Sequence, residues 1–302
     1  MKKMNLYFAC AILIFIAGAL SYSQEETVDR ATVPFSDPSQ PGLLKVDIHN
    51  GGITIKGYEG KEVIVEARTR GKMLQELRSR GIRNIIEDKV REKMEQELKE
   101  KKKEAKTEGM QRIQIPKGTG LEAAEENNVM KVEVSSLKQT VDLIIQVPYS
   151  TSLQLDAHTN GDIVVENVKG EIEVDHHNGE LKFTAISGAV VAHTFNGHIL
   201  VTFTEVNPDK PMSFSTWNGD IDVTFPSNIK ANVKMKSERG EIYTDYDIQL
   251  DKTPQKVEKD SRKEGGKYKI SFEKYILGTI NGGGPEYQFN TYNGDILIRK
   301  AK

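Results

Sequence analysis

Glycine recurs at a strict interval of nine residues in the middle of the chain, from Gly161 to Gly197. Every second glycine of this run follows an asparagine, so the larger repeating unit is eighteen residues made of two nines. Glycine and asparagine both tolerate positive φ, so each pair predicts a sharp turn of the chain. The predicted turn residues are Asn160-Gly161, Asn178-Gly179, Asn196-Gly197, Asn218-Gly219 and Asn293-Gly294, with a further pair at 50–51.

The residues that follow each glycine repeat as well. The second and fourth positions after it are usually apolar, as in Ile163/Val165 and Ile199/Val201. Alternation with a period of two, rich in β-branched side chains, indicates short strands that bury one face. The unit of nine is therefore one strand and one turn.

Two folds fit such a unit. An antiparallel meander would use Asn-Gly as a two-residue hairpin turn. A solenoid would use two nines for one coil, with coils stacked about 4.8 Å apart. We favour the solenoid because a meander gives no reason for asparagine at every second turn, whereas stacked coils would place the asparagines in one column. The predicted fold is mainly β, a parallel β-helix or β-roll-like solenoid with about 18 residues per coil in its centre.

The N-terminal residues 1–23 have the pattern of a secretory signal peptide: Lys2 and Lys3, an apolar run from Leu6 to Leu20, and then small residues. An uncleaved anchor is the alternative, but the run is shorter than the roughly 20 residues that a membrane span needs. Cys10, the single cysteine, lies within this segment. We therefore expect an exported mature chain with no cysteine and no transmembrane span, located in the periplasm, at the cell surface or outside the cell.

Residues 24–40 are interpreted as a linker and residues 41–302 as the strand-repeat domain. Within that domain, apolar residues at helical spacing predict a helical insertion over 72–108, and the charged segment 251–267 predicts a mobile loop. The helix is interpreted as a lid on the sheet, with a partner- or membrane-binding arm as the alternative.

Composition excludes several classes. Hydrophobic residues make up 37% of the 302 residues, which is too many for a disordered chain. The formal net charge is −2, so bulk charge predicts no nucleic-acid partner. One cysteine cannot build a disulfide scaffold.

The segments Val141–Gly161, Phe225–Asp245 and Gly278–Ile298, together with the glycine spacing, carry a family likeness. The chain resembles the bacterial exported "putative adhesin" family, a β-strand-repeat domain of unknown function. This resemblance implies a β-solenoid-like fold in the cell envelope, and it supplies no catalytic residues. The predicted helix over 72–108 departs from the family pattern, so the resemblance implies no role for it.

No pattern predicts a catalytic or metal centre. The five histidines between 158 and 198 fall in different registers relative to glycine, which favours surface residues over a metal site, with His158 and His176 stacked eighteen residues apart. The acidic position after glycine varies too much for a regular column of calcium ions. The pair Asp220/Asp222 fits the polar face of an alternating strand better than a glycosidase pair.

Aromatic residues precede three of the Asn-Gly pairs: Phe195, Trp217 and Tyr292. If the coils stack in register, these rings form a stripe that is a candidate ligand-binding surface, because aromatic faces bind sugar rings and other apolar surfaces. The alternative is a packed corner of the core, which base rates favour.

The sequence therefore predicts a non-catalytic envelope protein without a cofactor, which binds or scaffolds an extended partner such as a glycan or an envelope protein. Two alternatives stay open. One is a regulatory protein that acts through the 72–108 helix, and the other is a polysaccharide-processing enzyme on a β-helix.

Overall fold

The computed structural model describes residues 28–70, 118–136, 139–251, 255–260, 268–273 and 275–302. The chain divides into two compact units, residues 1–28 with 68–119 and residues 29–67 with 120–302. Nearly all of the described residues belong to the second unit, and the features below lie within it.

The described residues form strands joined by turns. In chain order, β1 to β23 are Val28–Pro34, Leu43–Ile48, Ile53–Tyr58, Glu62–Thr69, Leu121–Glu126, Val129–Val134, Val141–Pro148, Ser152–Asn160, Ile163–Glu166, Ile172–Asn178, Leu181–Gly188, Val190–Asn196, Ile199–Val206, Met212–Asn218, Ile221–Phe225, Ala231–Ser237, Ile242–Thr244, Ile248–Asp251, Gln255–Asp260, Tyr268–Glu273, Ile276–Ile280, Glu286–Asn293 and Ile296–Lys300.

These strands form two large sheets and one small one. The ten-stranded sheet has the order β1-β4-β7-β3-β9-β11-β13-β15-β23-β17. The eleven-stranded sheet has the order β18-β21-β16-β22-β14-β12-β10-β8-β2-β6-β5. The two remaining strands, β19 and β20, pair with each other.

The central chain alternates between the two large sheets, and each crossing from the eleven-stranded to the ten-stranded sheet is an Asn-Gly turn. Strands β10 and β12 pair in parallel with Ile172 opposite Val190, and β11 and β13 pair in parallel with Leu181 opposite Ile199. Each of these partners lies eighteen residues further along the chain. The predicted solenoid is therefore confirmed, and the meander is wrong because neighbouring strands run parallel.

Eight coils stack in an order that departs from chain order. Beginning at the N-terminal end they are β6–β7, β2–β3, β8–β9, β10–β11, β12–β13, β14–β15, β22–β23 and β16–β17. The last strands of the chain are thus inserted between two coils formed earlier, since β22 pairs with both β14 and β16. Antiparallel strands flank this stack in the eleven-stranded sheet, β5 at one end and β21 with β18 at the other.

The core lies between the two sheets. Alternate residues of the coil strands, except the short β17, point inward and are buried, as in β10, where Ile172 and Val174 are inside and Glu173 and Asp175 are outside. In the C-terminal coils several of the inward residues are aromatic, and their rings stack. The ring centroids of Phe214 and Phe289 are 5.2 Å apart, and those of Phe225 and Tyr287 are 5.4 Å apart. This alternation is the period of two that the sequence shows.

The glycine of each turn is required by the closeness of the coils. A Cβ atom on Gly179 would overlap the carbonyl oxygen of Gly161 in the coil below, and one on Gly197 would overlap that of Gly179. Gly179 also has a φ of 152°, which L side chains rarely adopt. The regular spacing of glycine is therefore required by the close contacts between turns of neighbouring coils.

Two segments that the sequence predicts to be irregular contain strands. Within the predicted linker 24–40, β1 joins the edge of the ten-stranded sheet and Phe35 is buried in the core. Within the predicted loop 251–267, β19 pairs antiparallel with β20. In both places backbone hydrogen bonds form strands without the continuous apolar pattern on which the predictions depended.

The predicted signal peptide, 1–23, and the predicted helical insertion, 72–108, lie outside the described residues. Among the residues that the structure describes, no helix is long and apolar enough to cross a membrane.

Candidate functional site

The asparagines of the turns form the predicted column. The side-chain Nδ2 of Asn196 donates to Oδ1 of Asn178 at 2.7 Å, that of Asn218 donates to Asn196 at 2.7 Å, and that of Asn293 donates to Asn218 at 2.6 Å. Asn196 and Asn218 thus each donate to the preceding coil and accept from the following one, which is the pairing expected for identical side chains stacked in a parallel array. This column fixes the register of the residues beside it.

A buried polar residue lies two positions before each of these asparagines, and three of the four cap the turn of the coil below; the exception is Thr194, whose Oγ1 has no hydrogen-bond partner among the described residues. Thr216 Oγ1 donates to the carbonyl of Gly197 at 3.0 Å, and Thr291 Oγ1 donates to that of Gly219 at 3.0 Å. His176, only 2% exposed, takes this position in β10: its Nε2 lies 2.7 Å from Gly161 O and its Nδ1 lies 2.9 Å from Ala157 O. Such contacts satisfy turn carbonyls that would otherwise be buried without a donor.

A β-bulge separates β8 from the coils after it. His176 pairs with Ala157 and Asn178 pairs with Asn160, so β8 has one residue more than β10 between these pairs. The predicted stack of His158 on His176 is therefore wrong. His176 points into the core, whereas His158 lies on the outer face, where its Nε2 is 3.2 Å from Asp47 Oδ1.

The candidate ligand-binding residues form a continuous stack together with a histidine. The ring centroids of His177 and Phe195 are 5.2 Å apart, those of Phe195 and Trp217 are 6.0 Å apart, and those of Trp217 and Tyr292 are 4.4 Å apart. The planes of neighbouring rings differ by no more than 7°. We call these four residues the aromatic ladder.

The aromatic ladder lies on the outer face of the eleven-stranded sheet. Phe195 is 39% exposed and Trp217 is 47% exposed, although both are covered by neighbouring rings. The interpretation as a packed corner of the core is therefore wrong. The inward position of these strands is filled instead by the buried residue one place before each ring, such as Thr216.

The stacking decides which part of each ring can meet a partner. Phe195 and Trp217 have neighbours on both faces, and the guanidinium of Arg239 covers the far face of Tyr292, 5.3 Å from its centroid. The ladder thus presents a row of ring edges, with ring centroids 4.4–6.0 Å apart, and the ring faces are used within the fold. Such a ridge provides apolar area along the solenoid axis, but it offers no open face to a sugar ring in its middle.

A second column runs parallel to the aromatic ladder on the same outer face. It passes through all eight coils in register, and its members from the N-terminal end are Glu133, Asp47, Asp156, Asp175, His193, Ser215, Asn290 and Lys236. The first half of this polar column is acidic, the middle is neutral, and the last member is basic. The outer face therefore has an electrostatic polarity along the solenoid axis.

The acidic half affects the titration of Asp156. Partial burial raises the pKa of its carboxyl group, and the neighbouring carboxylates of Asp47 and Asp175 raise it further. Burial and like charges both disfavour the ionised form. The electrostatic potential is thus negative where these three side chains meet.

An open depression of about 290 Å³ lies between the polar column and the first rings of the ladder. It is lined by Asp156, Asp175, His158, His177 and Phe195, among others. It joins the acidic part of the face to the aromatic part.

Within the described residues, no group of three or more His, Cys, Asp or Glu side chains is arranged to hold a metal ion. Asp222 of the weighed carboxylate pair binds Arg299, with Oδ1 2.7 Å from Nε, while Asp220 accepts from the backbone N–H of Asp295 at 2.8 Å. Both acids thus have partners within the fold.

The polar column was not predicted from the sequence. Its first two members belong to coils β6–β7 and β2–β3, whose place in the stack follows no repeat. Asp156 and Asp175 are nineteen residues apart because of the bulge, so the eighteen-residue rule misses their pairing.

The protein is a parallel β-solenoid with two large sheets, and it carries the aromatic ladder on the outer face of one of them. Its sequence matches the family model described as Toastrack DUF4097 over residues 145–299, which is half of the chain. The chain belongs to that family. Among curated proteins, none matches the sequence.

Solved structures show a distant likeness. A "putative cell adhesion protein" from Clostridium sporogenes ATCC 15579 has 10% sequence identity and a TM-score of 0.44, covering 92% of this chain and 100% of its own. "Putative adhesins" from Bacteroides fragilis NCTC 9343 (10% identity, TM-score 0.33, covering 91% and 97%) and Parabacteroides distasonis ATCC 8503 (8% identity, TM-score 0.31, covering 92% and 98%) are similar at a lower level.

Proposed function

We propose that the protein is an exported, non-catalytic binding module of the cell envelope, and that it recognises its partner with the outer face of the eleven-stranded sheet. The observation that carries this proposal is the aromatic ladder, which leaves Phe195 and Trp217 substantially exposed on a regular sheet surface. A contiguous row of exposed aromatic residues occurs more often at interaction surfaces than on the rest of a protein surface.

The stacked geometry favours a protein partner over a glycan. A sugar ring binds by lying on an aromatic face, and the faces of Phe195 and Trp217 are already covered. A row of ring edges beside a polar column matches the composition of protein–protein interfaces, in which an aromatic centre is surrounded by polar groups. The glycan remains as an outcome of the experiment.

An exported protein can meet an envelope partner, so export is consistent with this role. The proposal of export rests on the sequence. The basic start, the apolar run from Leu6 to Leu20 and the small residues that follow are those of a signal peptide. An extended, flat outer face is suited to partners that run along the solenoid axis.

A photo-crosslinking amino acid at position 217 tests the proposal. The matched control carries the same amino acid at Lys182, which is exposed on the ten-stranded sheet. With an envelope extract, we expect protein crosslinks from position 217 and none above background from position 182. Equal crosslinking at both positions would contradict the proposal.

The fluorescence of Trp217, the single tryptophan of the chain, separates the two partner classes. Titration with purified envelope polysaccharides should leave its emission unchanged if the partner is a protein. A saturable change without protein crosslinks would overturn the protein assignment in favour of a glycan.

A further inference from the structure

We propose that the protein partner of this face is a second copy of the same chain, packed face to face with the two solenoid axes antiparallel. This inference rests on the proposed function, because it names the partner of the same surface. Its basis is that the polar column and the aromatic ladder of the outer face of the eleven-stranded sheet are each complementary to themselves when the order of the coils is reversed.

The polar column shows this complementarity. A two-fold axis parallel to the strands and located between β10 and β12 pairs the first coil with the eighth, the second with the seventh, the third with the sixth and the fourth with the fifth. The facing pairs are then Glu133 with Lys236, Asp47 with Asn290, Asp156 with Ser215, and Asp175 with His193. Every carboxylate of the polar column meets a cation or a group that can donate a hydrogen bond, and none meets another carboxylate. At the outward position two residues earlier, the same operation sets Lys131 opposite Lys234 and Glu173 opposite Val191.

The aromatic ladder is complementary in the same arrangement. The position of the rings is occupied by His49 and His177 in N-terminal coils and by Phe195, Trp217 and Tyr292 in later coils. Reversal of the coil order places His177 opposite Phe195, and His49 opposite Tyr292. The aromatic half of one copy thus lies over the histidine half of the other, so the same patch serves both copies, as an isologous interface requires.

Charge selects this orientation over the other two-fold arrangement. With the two solenoid axes parallel, the coils that carry Asp47, Asp156 and Asp175 would face the same acidic coils of the second copy. Asp47, Asp156 and Asp175 occupy directly paired positions of three neighbouring strands, so negative charge is already concentrated there. Like charges across an interface cost free energy, so the parallel arrangement is disfavoured.

The acidic end contains cations as well. Lys45 and Lys131 lie beside the polar column in the two outermost coils, and they offset part of its charge. In the next two coils the corresponding positions are Gln154 and Glu173, so the acidic excess is strongest at Asp156 and Asp175.

The basic end has its own internal contacts. Lys236 Nζ lies 2.8 Å from Glu238 Oε1, and Lys234 Nζ lies 4.2 Å from the centroid of Tyr275. Together with Arg239, three cations and one carboxylate leave this end positive.

The size and composition of the face suit a stable dimer. Eight strands about 4.8 Å apart and about 20 Å long cover on the order of 800 Å², which is the area that each partner buries in a standard interface. Near the proposed axis three large apolar side chains are exposed, Val191 (46%), Phe195 (39%) and Trp217 (47%). An apolar centre with charged ends is the usual anatomy of an interface.

The oligomeric state of the purified protein tests the proposal by sedimentation velocity over a range of concentrations. We expect a dimer that dissociates about tenfold more readily when Glu133→Lys or Lys236→Glu is introduced, because each reversal occurs twice in a two-fold interface. The two reversals combined in one chain should restore the affinity of the original protein. The same reversal on the other sheet, Lys182→Glu, should have no effect.

The double variant identifies the arrangement. If both single reversals weaken the dimer and their combination weakens it further, the antiparallel pairing is wrong. Melting temperatures of all variants confirm that each is folded.

Failure of this proposal is separable from failure of the proposed function. A protein that stays monomeric at every concentration, or a dimer that Trp217→Ala leaves unchanged, overturns self-association. If the monomer still crosslinks an envelope protein from position 217, the binding role of the face is retained and the partner is a different protein.

Discussion

The rings of Trp217 and Tyr292 lie parallel, 6° apart in orientation, with their centroids separated by 4.4 Å. Trp217 lies one residue before the end of β14 and Tyr292 lies in β22, and the two strands are neighbours because the C-terminal coil is inserted between two coils formed earlier in the chain. The aromatic ladder therefore gains its last ring only when this coil is in place. The asparagine column depends on it in the same way, through the hydrogen bond from Asn293 to Asn218.

Replacement of Trp217 by alanine should lower stability only modestly. The side chain is half exposed and loses two ring contacts, each worth about 0.5–1.5 kcal/mol. We expect a loss of about 1–2 kcal/mol, seen as a fall of a few degrees in the melting temperature. The control is Phe289→Ala in the neighbouring core, where a fully buried ring should cost about 3–5 kcal/mol. Equal losses in the two variants would show that Trp217 has a core role.

The asparagine column should contribute measurably to stability. Asn196 is both donor and acceptor in it, so Asn196→Ala removes two side-chain hydrogen bonds and leaves half-buried amides of Asn178 and Asn218 without that partner. We expect a loss of about 1–3 kcal/mol in the free energy of unfolding by urea.

Asn160→Ala is the matched control for this prediction. Asn160 pairs with Asn178 in the backbone register, but the described structure gives its exposed side chain no hydrogen bond. This variant should unfold close to the midpoint of the original protein. A loss as large as that of Asn196→Ala would mean that the turn, and not the column, needs asparagine.

The repeat in the sequence predicted the solenoid and the asparagine column, because residues eighteen apart lie above one another in the central parallel coils. The stacking of Phe195, Trp217 and Tyr292, which do not lie eighteen apart, was predicted from the Asn-Gly pair that follows each of them. The repeat could not predict the order of the coils outside it, since strand pairing between distant segments leaves no periodic signal. It also missed the bulge at His158, because one extra residue shifts the register of a single coil without changing the glycine spacing.

A glycine packed against a neighbouring coil and a glycine in an open turn should differ in their tolerance of substitution. A Cβ at Gly197 would overlap the backbone oxygen of Gly179, which cannot move without separating two coils, whereas Gly282 has no atom within 4 Å of that position. Gly197→Ala should therefore prevent folding or lower the melting temperature severely. Gly282→Ala should cost only about 1 kcal/mol, the strain of its φ of 84°. Circular dichroism during heating measures both, and similar melting temperatures would contradict the role of close coil contact.

Replacement of Asp156 by asparagine should stabilise the protein at neutral pH. The folded state raises the pKa of this carboxyl group, through partial burial and the charges of Asp47 and Asp175. The folded protein therefore binds the proton more readily than the unfolded chain, so stability falls as the pH rises from the unfolded pKa, about 3.9, through the higher folded value. An uncharged amide of the same shape avoids this loss at pH 7.

The pH dependence distinguishes this electrostatic effect from a change in packing. Asp156→Asn should melt at a higher temperature than the original protein at pH 7, and the difference should shrink towards zero below about pH 3.9, where both carry an uncharged group. Asp247→Asn, at an exposed position in the loop between β17 and β18, is the control and should show no such trend. A gain that is independent of pH would assign the effect to packing, and a loss at pH 7 would show that the carboxylate of Asp156 is held by favourable contacts that outweigh the repulsion from Asp47 and Asp175.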